Sequence, residues 1–322
     1  MAERDRIARY FAPLTADEFG AFNLSDDAAI LTPPMGKQLV FTTDSVIEHI
    51  HILPGATPQQ FAQKLLRRNL SDLAAMGATP WRYLLNLHTP RGLDDAWFAA
   101  FALALAEEQK HFGLVLIGGD STSGGEVIHT TLTCIGLLDG AALRRTGAQL
   151  GDDVYVSGTI GDAAIGLKLL QRSMAMEIDA GSLEFLINRY HLPIPRLALS
   201  AALRGIATAC LDISDGLLAD AQQLATASQV GITIAREAIP LSQAANALVT
   251  RDANLWDAIV IGGDDYELLF TAPKSAQSAI IQLATDLHLS LTPIGEVTKT
   301  AGVQLQLHGQ TLAINTSGWE HT

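Results

Sequence analysis

Five short segments set aspartate beside small or hydroxylated residues: Ser25-Asp26-Asp27, Thr42-Thr43-Asp44, Asn69-Leu70-Ser71-Asp72, Gly118-Gly119-Asp120 and Asp212-Ile213-Ser214-Asp215. Carboxylate, hydroxyl and carbonyl oxygens are hard ligands. They suit Mg²⁺, which keeps several of its waters and takes few carboxylates from the protein. Taken singly, each motif reads equally well as an aspartate closing a turn or capping a helix. Asp72 resists that reading, because it interrupts a Leu/Ala-rich helical run where an unpaired carboxylate is costly. The five together favour a metal site. Zinc is not expected, since Cys134 and Cys210 each sit alone in apolar stretches.

A metal of this kind commonly accompanies phosphate, and phosphate needs donors. No Walker pattern exists: Gly36-Lys37 lacks the upstream glycine and is followed by Gln38. Gly158-Thr159-Ile160-Gly161, between a strand and a helix, reads either as an anion cradle or as a plain connecting turn. Arg144-Arg145 offers cations, or two solvated side chains. His49 and His51 are spaced to share a strand face, where they read as a ligand pair or as surface residues. Trp319 taken alone reads as a core residue, with a stacking platform for a flat heterocycle as the alternative.

These residues need a scaffold, and the chain alternates strand-like and helix-like segments. Residues 38–43 predict a strand ending at Asp44, residues 58–76 a helix stopped by Gly77 and Pro80, and 81–89 a strand closed by Pro90. A helix is expected from Asp94 and Asp95 to about His111. Residues 114–120 predict a strand opening into a Gly/Ser loop, and 127–138 a further strand. The composition breaks at 139–152. Beyond it, 153–158 predict a strand, 161–173 the start of a helix, 211–228 a turn feeding a helix, and 258–273 two strands around a Gly-Gly-Asp turn. Ile117-Gly118-Gly119-Asp120 is echoed by Ile261-Gly262-Gly263-Asp264, a weak hint of related halves.

The chain has 322 residues, of which 48% are hydrophobic and 17% charged, which suits two globular domains. A net charge of −13 argues against nucleic acid as a partner. No run is apolar enough to cross a bilayer, and the first eleven residues lack the core of a secretory signal. With two lone cysteines, a reducing cytoplasm is the expected location.

In order, the motifs resemble those of the thiamine-monophosphate kinase family, a branch of the superfamily that includes aminoimidazole ribonucleotide synthetase, selenophosphate synthetase and a hydrogenase maturation protein. The resemblance runs from residues 7–11 to 318–321 and is most specific at 69–80 (NLSDLAAMGATP), 116–122 (LIGGDST), 211–217 (LDISDGL) and 262–268 (GGDDYEL). It implies an α/β (α+β) protein with the two-domain aminoimidazole ribonucleotide synthetase-like fold. Residues 1–139 would bind ATP and Mg²⁺ and pair their mixed sheet across a homodimer. Residues 140–322 would form an α/β domain completing the nucleotide and substrate site. By motif, Asp27, Thr42, Asp44, Asp72, Asp120, Asp212 and Asp215 would be Mg²⁺ ligands, with Thr43 contributing through its backbone. Asp27, Gly119, Asp120, Arg145 and Ser214 would contact ATP, and His51, Asp264 and Trp319 would hold thiamine phosphate. Three positions depart from the family pattern: Ser25 replaces a glycine, Asp264 a glutamate, and Thr322 an aromatic residue.

The activity implied is direct in-line transfer of phosphate from ATP to thiamine phosphate. The acceptor oxygen is anionic at neutral pH, so no general base is required. Repulsion is the obstacle: two unit charges about 4 Å apart cost roughly 4 kcal/mol at an effective dielectric near 20. Several Mg²⁺ ions between the phosphates would relieve it.

Overall fold

The computed structural model describes residues 2–174 and 176–313. The chain divides into two compact units, one of residues 1–73 and 78–140, the other of 74–77 and 141–322. Both mix helices with a sheet, the α/β architecture expected.

In the first unit a single turn, α1 (Glu3–Arg6), precedes four strands: β1 (Gln38–Ile47), β2 (Thr79–Thr89), β3 (Val115–Ser123) and β4 (His129–Leu138). Their order is β1-β4-β2-β3, with β4 antiparallel to both neighbours and β2 parallel to β3. The period of two shows in the burial. Tyr83, Leu85 and Leu87 of β2 and Leu132 and Cys134 of β4 are covered, whereas Phe41 on β1 is 62% exposed. Two helices flank these strands in sequence, α2 (Pro58–Ala75) and α3 (Asp95–Phe112). At the start of α2, Thr57 and Gln60 cap each other: the Gln60 amide donates to Thr57 Oγ1 at 3.2 Å and the Thr57 amide to Gln60 Oε1 at 2.8 Å. The Asp94 carboxylate caps α3 in the way its sequence predicts, accepting from the Ala96 amide at 3.2 Å.

The second unit holds a seven-stranded sheet ordered β11-β10-β7-β9-β5-β8-β6. Its strands are β5 (Asp153–Ser157), β6 (Ala209–Asp212), β7 (Gly231–Ala235), β8 (Leu268–Ala272), β9 (Leu291–Thr298), β10 (Gly302–Leu307) and β11 (Gln310–Thr311). The helices are α4 (Asp162–Leu170), α5 (Ala180–His191), α6 (Leu197–Leu203), α7 (Leu217–Ser228), α8 (Gln243–Arg251), α9 (Leu255–Ile261) and α10 (Gln277–Asp286). Successive residues of β5 feed opposite cores. Val154 and Val156 join side chains from α4, α5, α7, α8 and α9. Tyr155 stacks on Phe270 with centroids 5.2 Å apart, in a cluster shared with α6 and α10. A sheet apolar on both faces must be covered on both, and this one is.

Four expectations fail locally. β1 continues past Asp44 to Ile47, and His49 and His51 lie in the following turn rather than on a strand face. β3 holds Gly118, Gly119 and Asp120 as expected but runs on to Ser123, where a Gly/Ser loop was expected. Within it a Cβ on Gly119 would fall 1.7 Å from the Leu85 carbonyl oxygen, so the glycine marks close strand approach. Residues 258–261 end helix α9 instead of forming a strand: Leu255, Ile259 and Val260 are buried at helical spacing, and packing overrides the strand preference of β-branched Ile259, Val260 and Ile261. The two Gly-Gly-Asp echoes therefore sit in different structures, one within a strand and one after a helix.

Candidate functional site

In the first unit, strand alternation sorts the Thr42-Thr43-Asp44 segment. Thr42 Oγ1 donates to Asp72 Oδ2 from β1 to α2. One helical turn before Asp72, Arg68 sets its Nε 3.5 Å from Asp44 Oδ2 and donates through Nη1 to the Ser45 carbonyl at 3.1 Å. Thr42, Asp44 and Asp72 are thus drawn together by α2. The Thr43 side chain faces the other way, donating to the Leu132 carbonyl at 3.2 Å and accepting from Thr133 Oγ1. Behind Thr42 lies Cys134, its partner in β4, whose thiol burial pushes up to about 12, with the Asp72 charge adding to the effect.

Asp27 and Asp120 are exposed. Asp27 lines a cavity of about 670 Å³ with Asp26, Gly119, Asn86, Phe41 and Trp81. Asp120 stands on β3 opposite Asn86. His51 Nδ1 accepts from the Ile47 amide at 3.2 Å, which leaves the ring hydrogen of the neutral form on Nε2. Among the described residues, no three or more His, Cys, Asp or Glu side chains are gathered closely enough to hold a metal unaided.

In the second unit, Asp212 ends β6 and is buried, and Ser214 and Asp215 form the turn into α7. The turn is gripped from within. Asp220 Oδ2 accepts from the amides of Ser214, Asp215 and Gly216 at 3.0, 2.9 and 3.1 Å. Burial, then the charges of Asp215 and Asp212, push Asp220 up to about 8. Gln223 Nε2 reaches Asp220 Oδ1 at 3.2 Å and Asp215 Oδ2 at 3.3 Å, and its Oε1 accepts from Arg145 at 2.7 Å. The 262–267 segment runs alongside: the Asp264 amide donates to the Ser214 carbonyl at 2.9 Å, and the Tyr266 amide to that of Ile213 at 2.8 Å. Asp264 is held with φ +71°, and the Tyr266 hydroxyl donates to its Oδ1 at 3.0 Å.

Under that segment lies a buried ionic network. Glu267 accepts from Ser157 Oγ at 2.5 Å, Arg189 Nη2 at 2.9 Å and Arg196 Nε at 2.6 Å. Asp265 accepts from the amides of Gly161 and Ala163 at 2.7 and 3.4 Å, and Asp162 from Thr159 and Ser242 at 2.5 Å each. Burial raises Asp162, and raises Asp265 well above the usual carboxylate range. The amides of the 158–161 turn are engaged within the protein, Gly158 by the Ser290 carbonyl at 2.9 Å, Ile160 by the Pro240 carbonyl at 3.0 Å and Gly161 by Asp265, so the turn reads as a connection rather than a phosphate cradle. Trp319 lies outside the described residues. Sequence reasoning missed Asp220, although the argument that singled out Asp72, an acid inside a Leu/Ala helix, applies to it unchanged. It also missed Asp162, Asp265, Glu267, Arg189 and Arg196, the last four of which have partners distant in sequence.

Comparison with known proteins places these residues in context. The family descriptions that match are AIR synthase related protein, N-terminal domain, over residues 25–138, and the C-terminal domain of the same proteins over 149–308. Thiamine-monophosphate kinase of Caulobacter vibrioides is 36% identical over 323 residues, covering 99% of this chain and 90% of that protein. Among solved structures, thiamine-monophosphate kinase from Stenotrophomonas maltophilia K279a superposes with a TM-score of 0.84 at 38% identity, covering 96% of each chain. AaThiL complexed with AMPPCP and TMP gives 0.79 at 31% identity, covering 95% of this chain and 98% of that one.

Proposed function

The chain belongs to the thiamine-monophosphate kinase family, and from that premise we propose that it transfers the γ-phosphoryl group of ATP to thiamine phosphate. A phosphate oxygen of the acceptor forms the new bond to the γ-phosphorus while the bond to the β–γ bridging oxygen breaks, giving thiamine diphosphate and ADP. The observation that carries the reading is the full-length likeness to a relative complexed with AMPPCP and TMP. The aspartate motifs lie within the matched region.

In this reading residues 1–139 are the ATP- and Mg²⁺-binding domain, with Asp27, Thr42, Asp44, Asp72 and Asp120 as metal ligands and Thr43 contributing its carbonyl. Residues 140–322 add Asp212 and Asp215. Their oxygens fit Mg²⁺, which when bound would screen the phosphate charges and align donor and acceptor. Asp27, Gly119, Asp120, Arg145 and Ser214 bind the nucleotide. His51, Asp264 and Trp319 hold thiamine phosphate, Asp264 accepting from the aminopyrimidine. None of these residues serves as nucleophile or general base, because the attacking oxygen already carries charge. Their work is to bind, orient and neutralise. Transfer is direct and in line, without a phosphoenzyme.

Two further features follow. Leu39, Phe41, Ile30 and Met35 are exposed in the first unit. Apolar exposure on that scale supports a homodimer through the face of the four-stranded sheet that bears Phe41. No described helix is long and apolar enough to cross a membrane, and both described cysteines are buried and free, which supports a cytoplasmic location. The test is to incubate the protein with ATP, Mg²⁺ and thiamine phosphate and to look for thiamine diphosphate. Product is expected and should vanish with excess chelator. No product, or equal product with chelator present, sinks the reading.

A further inference from the structure

The turn carrying Ser214 and Asp215 has three consecutive amides converging on one point, the arrangement by which loops grip anions. Here the anion is internal. Asp220, 2% exposed on α7, fills the position with Oδ2. With its amides engaged, the turn presents side chains rather than N–H groups to a ligand. Gln223, one turn further along α7, joins this hub to two outward groups. Its amide nitrogen lies against Asp220 and Asp215, and its carbonyl oxygen accepts from Arg145. One neutral side chain thus bridges an acid and a base held apart in sequence. It donates toward the Asp215 carboxylate and accepts from the Arg145 guanidinium, and these two bonds are charge-assisted.

We propose that Asp220 and Gln223 are positioning residues for the phosphate-handling groups of the second unit. Asp220 fixes the backbone of the Ser214–Gly216 turn, and Gln223 sets the carboxylate of Asp215 and the guanidinium of Arg145. Neither touches substrate. The inference rests on the function proposed above and deepens it by assigning the nucleotide end of the reaction to this hub.

The test separates nucleotide from thiamine phosphate. Gln223→Leu keeps the size of a partly exposed side chain and removes all its hydrogen bonds. It should raise the KM for Mg·ATP by roughly tenfold, the loss expected for charge-assisted bonds, and leave the KM for thiamine phosphate within about twofold. Asp220→Asn keeps an acceptor oxygen for the turn and should retain much of the activity that Asp220→Ala loses. Direct titration with AMPPCP and Mg²⁺ should reproduce the weakening in Gln223→Leu, while its melting temperature stays near that of the parent. Equal rises in both KM values, or an unchanged nucleotide affinity in Gln223→Leu, would overturn the proposal. A parent protein that makes no thiamine diphosphate would instead refute the reaction, so the two failures are distinguishable.

Discussion

Asp72 shows what one side chain can disclose. A carboxylate in a Leu/Ala helix needs a partner, and the structure supplies Thr42 Oγ1 from β1. That bond aligns Asp72 with the strand carrying Asp44, and Arg68 fixes Asp44 in turn. Asp72→Asn keeps the size and a hydrogen-bonding oxygen while removing the charge. Turnover should fall by roughly a hundredfold or more, the scale set by losing one preorganised electrostatic group, while the melting temperature moves by only a few degrees. Steady-state kinetics beside a thermal melt checks this, and near-parental turnover would remove Asp72 from the metal site. The same logic was available for Asp220, because both acids interrupt apolar helical runs. Arg68 was not legible in this way: a basic residue on a helix reads as solvated until β1 is seen to bring Asp44 to it.

At the level of elements, sequence signals held where local chemistry decides the outcome and failed where neighbours do. The Asp94 cap and the Gly77 stop depend on residues a few positions away, and both ends fall where expected. Gly119 depends on β2. Its φ of +151° and the 1.7 Å approach of a hypothetical Cβ to the Leu85 carbonyl oxygen leave no room for alanine. Gly119→Ala should therefore cost at least about 2 kcal/mol. Gly140→Ala, at φ +69° with open space around it, should cost only about 1 kcal/mol. Denaturant melts of the pair decide the matter, and equal losses would mean that β3 can yield. The network beneath the 262–267 segment gives a prediction in pH. Asp162, Asp265 and Glu267 outnumber Arg189 and Arg196, and burial holds Asp265 well above the usual carboxylate range. A group so raised takes up a proton on folding. Its stabilisation is complete below the unfolded carboxylate value of about 3.9 and is lost as pH climbs toward the folded value. One such proton gives a slope of up to about 1.4 kcal/mol per pH unit. Asp265→Asn should flatten that decline, measured as unfolding free energy against pH. An identical slope in the variant would show that Asp265 is ionised throughout.

For the whole molecule, the question is why an acidic protein leaves large apolar side chains in water. With a net charge of −13 the chain has ample means of staying soluble. Yet Phe41 is 62% exposed, Ile30 70% and Met35 101% in the first unit alone. The pattern was half legible: the strands of this sheet could be placed from the sequence, but no local signal says whether solvent or a second copy meets the face that bears Phe41. A second copy would remove Phe41 from water, and apolar area released in that way yields about 25 cal/mol per Å². Each copy also brings its own negative charge, so association should tighten as salt screens the repulsion, over a Debye length of about 10 Å at 0.1 M. Phe41→Asp would add charge to that face and remove the aromatic ring. Its side chain projects from a strand surface rather than into a core, so the fold should survive. Light scattering coupled to gel filtration should report a mass near twice 34.3 kDa for the parent and near that value for the variant. An unchanged mass in Phe41→Asp, or a monomeric parent at every salt concentration, would mean that the sheet face meets something other than its own copy.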